Sequence, residues 1–342
     1  MSTTSQVTTF SDLYTDLQNR VRVTTGVSAT ETQAKRYINT ALVDVHVGTD
    51  YVFPWTERRA FLTTKAPYST GTLSVAAGST TLTGSGTLWN TANTYGQNNL
   101  RVGSKLTIAG ATDIYRVSAV SSDTAATLET RYVASSDASA EDYIAFEDEY
   151  ALASDFLRPI DFALFSTDWN IPLLDRGEFR RLHTRANISG RPRVATVLDL
   201  SYSGSTTPVR KVRFYPYPDQ TYVIPYSYVT ANLAVTSAGV EQFNLSSDTD
   251  EPMMPIRYRH VIVLHALKNW YRDKRDDVRS QEVAQEYAAL MERMVSDHDM
   301  GTHNRARIQP VTGMYNGHAA RPYTKRGGTR YSLNNRFDSF LR

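Results

Sequence analysis

The chain has 342 residues, 37 basic against 35 acidic, no cysteine and a mean hydropathy of −0.41. That length accommodates one large domain or two to three ordinary ones, each able to bury a real core. Missing thiols exclude disulfides, thiolate zinc sites, iron–sulfur clusters and cysteine nucleophiles. The near-neutral balance argues against a dedicated nucleic-acid binder, and no apolar run approaches the roughly 20 residues of a membrane helix.

The opening residues lack the basic and apolar stretches of a signal peptide. Phe10, Leu13, Leu17 and Val21 then recur at helical spacing, with Thr9 and Asp12 as a start signal and Gly26 as the expected stop. Ser28 and Glu31 fit a capping box for a second helix, whose stripe is Ala34, Tyr37, Ile38, Ala41, Leu42 and Val45, ending at Gly48. Residues 53–64 read as extended.

From about Tyr68 to Glu147 the composition turns to Ser, Thr, Ala and Gly. Short alternations such as Leu73/Val75, Leu106/Ile108 and Tyr115/Val117 are separated by turn signals, among them Gly84-Ser85-Gly86. This pattern predicts a small antiparallel β barrel or sandwich, inserted in a loop between helical and mixed segments. Downstream, residues 175–185 suggest a short basic helix, and residues 194–200, 209–215 and 222–229 suggest strands. Two strong helices follow. The first carries His260, Val263, Leu264, Leu267, Trp270 and Tyr271 on one stripe, with His260 expected as a hydrogen-bonded core histidine. The second carries Val283, Tyr287, Leu290, Met291 and Met294.

The expected fold class is therefore α+β. A helical bundle is formed by the N- and C-terminal helix pairs, with the inserted β domain, a mixed β middle region and an extended C-terminal arm. The expected boundaries are 1–67 with 148–300 for the core, 68–147 for the insert and 301–342 for the arm.

The arm has a charge of its own. Between Gly301 and Arg342 stand eight basic residues and a single acid, Asp338, so this segment is basic and the remainder net acidic. Arg305, Arg307, Arg321, Lys325, Arg326, Arg330 and Arg336 are interleaved with Tyr315, Tyr323, Tyr331, Phe337 and Phe340. Such a segment cannot build a core, and its arginines and aromatics suit an arm that binds a partner surface.

The templates of catalysis fail: there is no GxSxG, Walker loop, HExxH or GxGxxG. His298, Asp299 and His303 miss the i, i+4 spacing of a zinc helix. The Asp248/Asp250/Glu251 cluster is explained by a helix N-terminus without calcium. Pairs such as Asp155/Asp161 or Asp168/Asp175 could in principle serve glycoside hydrolysis, but a chain with 35 acidic residues offers such pairs by chance. The expectation is a protein that is no enzyme and holds no cofactor or metal. Tyrosine, at 21 residues, is weighed between interfaces and half-buried strands, with the arm tipping the balance to interfaces.

One resemblance gathers these segments. Thr81-Leu-Thr-Gly-Ser-Gly-Thr-Leu-Trp89, Val102-Gly-Ser-Lys-Leu-Thr-Ile108 and Ile114-Tyr-Arg-Val-Ser-Ala-Val120 are followed by an exit through Phe146-Glu-Asp-Glu-Tyr150. Then come Gly190-Arg-Pro-Arg193, Val212-Arg-Phe-Tyr-Pro-Tyr-Pro-Asp-Gln-Thr-Tyr222, Tyr226-Ser-Tyr228 and a helix opening Met254-Pro-Ile-Arg-Tyr-Arg-His-Val-Ile-Val-Leu264. In this order, over roughly Phe10 to Met300, the chain resembles the head-to-tail adaptor proteins of tailed bacteriophages, including the tail tubular protein A type. The resemblance implies a virion protein at the head–tail junction, assembled in the host cytoplasm as a homo-oligomeric, usually dodecameric, ring. Its partners would be the portal protein, the tail nozzle or tube protein and tail fibres or spikes. Genomic DNA would pass through the ring without sequence-specific binding, and no membrane would be involved. The alternative is a receptor- or carbohydrate-binding tail component using the β insert, with Trp89, Tyr95 and Tyr115 as its stacking platform.

Overall fold

The computed structural model describes residues 7–22, 27–48, 51–109, 113–164, 169–182, 187–198 and 209–303. Helices α1 (Phe10–Val21) and α2 (Ser28–Val47) come first, then a single 3-10 turn at Pro54–Thr56 and strand β1 (Glu57–Thr63). Seven short strands follow: β2 (Thr72–Val75), β3 (Thr81–Ser85), β4 (Lys105–Ile108), β5 (Tyr115–Val120), β6 (Ala125–Leu128), β7 (Ala138–Glu141) and β8 (Tyr143–Phe146). Next are β9 (Glu149–Ala151), β10 (Phe156–Leu164), β11 (Trp169–Asn170), helix α3 (Arg176–Leu182), β12 (Val194–Val197), β13 (Lys211–Tyr215) and β14 (Val223–Thr230). The described chain closes with β15 (Ala234–Val235), β16 (Glu241–Gln242), β17 (Glu251–Pro252) and helices α4 (His260–Asp273) and α5 (Asp277–His303). Among the described residues no helix is long and apolar enough to cross a membrane.

The expected fold class is corrected. The described residues form seventeen strands in four sheets and five α-helices, so the protein is mostly β and not a helical bundle made by the two helix pairs. The physical reason lies in signal strength. Two long amphipathic stripes at each end are loud in the sequence, whereas strands of two to nine residues, many of them rich in Ser, Thr and Ala, carry little periodicity each. Nor do the end helices close on themselves, because their core is completed by Leu233 and Ala234 around β15, Leu245, Met254 and Phe53.

Two compact units divide the chain: residues 1–57 with 231–342, and residues 58–230. In the first unit α4 packs against α1, α2 and α5. The sequence stripe marks one face of α4, yet Val261, Ile262, His265, Ala266 and Asn269 are buried as well, as befits the central helix of its unit. The start of α1 is the capping box read from Thr9 and Asp12: Asp12 N–H donates to Thr9 Oγ1 at 3.3 Å and Thr9 N–H to the Asp12 carboxylate at 2.9 Å. α1 stops at Val21 with Arg22 in the left-handed region (φ 57°), ahead of Gly26, which lies outside the described residues. α2 departs from expectation at its start: Val27 is the N-cap without a side-chain bond, Ser28 is already helical, and Glu31 pairs with Lys35 at 2.7 Å.

The second unit holds three of the sheets. The antiparallel seven-stranded sheet runs β7-β2-β3-β6-β5-β4-β8, and its two outermost strands are joined by Asp142 alone, so the sheet curls until its ends meet. Its core contains Trp89, Leu82, Leu106, Ile108, Val117 and Leu128. Gly71 is held at φ +79°, where an added Cβ would lie 2.5 Å from the Ser85 carbonyl oxygen. The other two sheets, β1-β14-β10-β11 and β12-β13-β9, share an aromatic-rich core in which Phe162 stacks on Tyr226 with ring centroids 5.1 Å apart. Among the described residues nine tyrosines are buried, so much of the tyrosine excess belongs to cores.

Candidate functional site

The chain enters the curled sheet past Lys65 and leaves it through Glu147 and Asp148, between β8 and β9, and Glu149, which opens β9. Here the second unit concentrates its buried charge. Glu147 is 7% exposed and Lys65 5%. The Glu147 carboxylate accepts from Lys65 Nζ at 3.2 Å, from Arg101 Nε at 3.0 Å, from Arg101 Nη2 and from Ser104 Oγ at 3.0 Å. Asp148 accepts from Lys105 Nζ at 2.7 Å and Arg213 Nε at 2.8 Å, and Lys105 also reaches Glu149 at 3.5 Å. Backbone links tie the same stretch down: the Lys65 N–H donates to the Tyr150 hydroxyl, which donates to the Glu147 carbonyl.

Burial raises the Glu147 carboxyl, but the Arg101 hydrogen bond, the Lys65 and Arg101 charges and Ser104 outweigh it, and the group sits below its ordinary range. Burial pulls Lys65 down, opposed by Glu147. Burial also drives the Tyr150 hydroxyl far above the usual phenol range. A carboxylate held ionised and a phenol held neutral suit fixed positions better than proton transfer.

Beside this seam opens a cleft of about 390 Å³, walled by Phe61, Leu62 and Thr63 of β1, by Gln97 and residues 101–104, and by Glu149, Tyr150, Ala151 and Lys211. Two edge strands border it. β1 ends the four-stranded sheet and β9 ends its three-stranded neighbour. Gln97 Nε2 donates to the Thr63 carbonyl at 3.3 Å, in the place a neighbouring strand's N–H would take, and Gln97 Oε1 is buried with no partner.

The residues singled out in the sequence are scattered. Arg305, Arg307, Tyr315, Arg321, Tyr323, Lys325, Arg326, Arg330, Tyr331, Arg336, Phe337 and Phe340 lie outside the described residues. Of the stacking platform, Trp89 is fully buried and donates its indole N–H to Tyr143 Oη at 2.9 Å, and Tyr115 is buried as well. Tyr95 alone is exposed. His260 is only half-buried, against Arg20 and Asp16; among the described residues the buried histidines are His46 and His265. His298 packs edge-on against Trp55 and Tyr258, while Asp168 and the side chains of Asp299 and His303 are outside the description. Asp155 accepts from Tyr228 and Thr230 hydroxyls and Asp161 from the Ser227 N–H, so both carboxylates brace β10 against β14.

The acidic cluster is likewise dispersed. Asp248 pairs with Lys35 at 2.7 Å, Glu251 with Arg259 at 2.9 Å, and Asp250 accepts from Ser246 and Ser247 N–H and from Gln242. It is the backbone carbonyls of Asp250 and Asp248, not carboxylates, that receive the first amides of α1, from Phe10 at 2.8 Å and Ser11 at 3.1 Å. No group of three or more metal-ligating side chains is found among the described residues. Sequence reasoning missed the charge seam and also Arg259, a buried guanidinium bonded to the carbonyls of Thr8, Pro252 and Met254. The visible clue to the seam was three consecutive acids at the sheet exit, facing a lone lysine in a threonine-rich approach.

No protein-family model matches the chain, and no curated protein matches it.

Proposed function

We propose that the protein is a structural component of a bacteriophage virion: an adaptor of the head–tail junction that assembles into a homo-oligomeric, dodecameric ring between the portal and the tail nozzle or tube and leaves a channel for DNA. The observation that carries this reading is the arrangement of the chain. The described residues before 58 and after 230 form one helix-rich unit whose core draws on α1, α2, α4 and α5, and residues 58–230, between them in the sequence, form a separate β unit. That arrangement agrees with the helix-pair, β-insert, helix-pair order expected of such an adaptor, and the resemblance itself rests on the sequence segments quoted above. The charge distribution is consistent with it: outside the basic C-terminal segment the chain is net acidic, which avoids the phosphate contacts that would hold a sliding duplex. The C-terminal segment supplies arginine and aromatic residues for a portal or a neighbouring subunit.

Negative-stain microscopy of the purified protein, alone and mixed with portal, tests this. Rings with a central channel that cap the portal are expected. A protein that stays monomeric at every concentration and leaves portal particles bare would overturn the reading.

A further inference from the structure

The cleft beside the charge seam is bordered by strand edges whose backbone direction can be read from the hydrogen bonds. Leu152 N–H donates to the Arg210 carbonyl and Phe214 N–H to the Asp148 carbonyl, so the even-numbered residues of this stretch face β13. Glu149 and Ala151 therefore turn their N–H and C=O groups to the other side. Both residues line the cleft, and among the described residues β13 is the one strand paired with β9. On the opposite wall, Thr64 N–H donates to the Tyr222 carbonyl, so the Thr63 carbonyl of the same peptide unit points away from β14, where Gln97 meets it. Gln97 thus covers the β1 edge where it meets the cleft, at the Thr63 carbonyl, and β9 presents an edge open to a newcomer.

The charges select what could enter. The three carboxylates at residues 147–149 are paired by Lys65, Arg101, Lys105 and Arg213. Lys211 lines the cleft and forms no ion pair among the described residues. In the β9–β13 ladder Lys211 stands directly opposite Ala151. Cross-strand neighbours share one face of the sheet, and alanine is too short to screen the lysine. A strand added to β9 would place one residue in the row Lys211–Ala151, where the lysine can reach over the alanine to a carboxylate.

We propose that this cleft is a docking site for an extended, acid-bearing peptide segment of a partner protein. The segment adds as a strand to the β9 edge, with an Asp or Glu opposite Ala151 and paired with Lys211. This inference does not depend on where the protein works.

The test uses the full chain and a fluorescein-labelled threonine–valine strand peptide carrying a single glutamate, followed by anisotropy. Saturable binding is expected, weakened about tenfold by Lys211→Glu and by replacing the peptide's glutamate with lysine, and abolished when the peptide's amides are N-methylated on alternate residues. The N-methyl comparison runs on the unaltered protein, so it stays decisive even if the variant folds poorly. Absence of binding at millimolar peptide, equal binding of the N-methylated form, or indifference to both charge reversals would each overturn the proposal.

Discussion

The two units bury polar chemistry in different mixtures: the helix-rich unit sets neutral rings beside the buried ions Arg259 and Asp250, and the β unit concentrates ions in one seam. The helix-rich unit holds neutral rings: His46 donates Nδ1–H to the Leu42 carbonyl at 2.7 Å and accepts the Trp55 indole N–H at 3.0 Å, while His265 sits between Asn269 and the Tyr287 ring. The β unit holds full charges, in the seam of Lys65, Arg101, Glu147, Lys105, Asp148 and Arg213. A neutral ring is satisfied by one or two local bonds. A buried ion demands partners on every side, and those partners come from four separate stretches of chain. The β unit thereby fixes the stem of its curled sheet with interactions that fail together, whereas His46 and His265 of the helical core can each fail singly.

The sharpest way to break the comparison is at Glu147. Replacing it with alanine leaves Lys65 buried beside Arg101 with no carboxylate, and a loss of about 3–5 kcal/mol is expected, read as a lowered unfolding midpoint of the β unit. The double variant Lys65→Met with Glu147→Leu should recover most of that loss. If the single change costs under about 1 kcal/mol, as exposed pairs do, the seam does not hold the stem.

Acid separates the units next. Burial lowers His46 to about 4, and burial reinforced by Lys268 and Arg272 lowers His265 to about 3. In the unfolded chain both rings protonate near 6.5, so the stability they confer is complete above that pH and is lost as pH falls toward 4 and 3. The loss amounts to a few kcal/mol by the conversion of about 1.4 kcal/mol per pKa unit. Glu147, held below its ordinary value of 4.5, contributes stability that is complete above that pH and is lost as pH falls below it. Hydrogen exchange corrected for its intrinsic pH dependence should show α4 losing protection at pH values where β5 and β8 remain protected. Simultaneous loss would mean that the histidines do not govern the helical unit.

The smallest effect sharpens the picture locally. Thr9→Ala removes one half of the α1 capping box and should cost about 1 kcal/mol, confined to the helix-rich unit. A matching drop in the β unit would show that the two do not unfold independently.

Legibility in the sequence followed the same divide. The four end helices were visible because Phe10, Leu13 and Leu17, or Val263, Leu264 and Leu267, repeat over several turns with capping residues nearby. The extent of sheet was underestimated because strands such as β15, β16 and β17 span two residues each, too short for any period, and are defined only by the pairing they make with one another. The charge seam was missed for a related reason, although its three consecutive acids at the sheet exit were visible. Lys65 and Glu147 are 82 positions apart, and nothing local tells a buried lysine from an exposed one. The dispersal of Asp248, Asp250 and Glu251 shows the converse, where neighbours in sequence serve three separate partners.

The order of synthesis gives the split arrangement of the helix-rich unit a further meaning. α1 and α2 leave the ribosome first, yet their packing partner α4 begins at His260, behind the whole of residues 58–230. At about 5–20 residues per second, the leading helices wait on the order of ten to forty seconds with Phe10, Leu17 and Ile38 unburied. Half-made chains therefore lack the finished helical core, and any assembly that depends on that core begins only with complete subunits. Nascent chains stalled before residue 255 should remain open to protease within residues 10–47, and closure should follow only once α4 has been released.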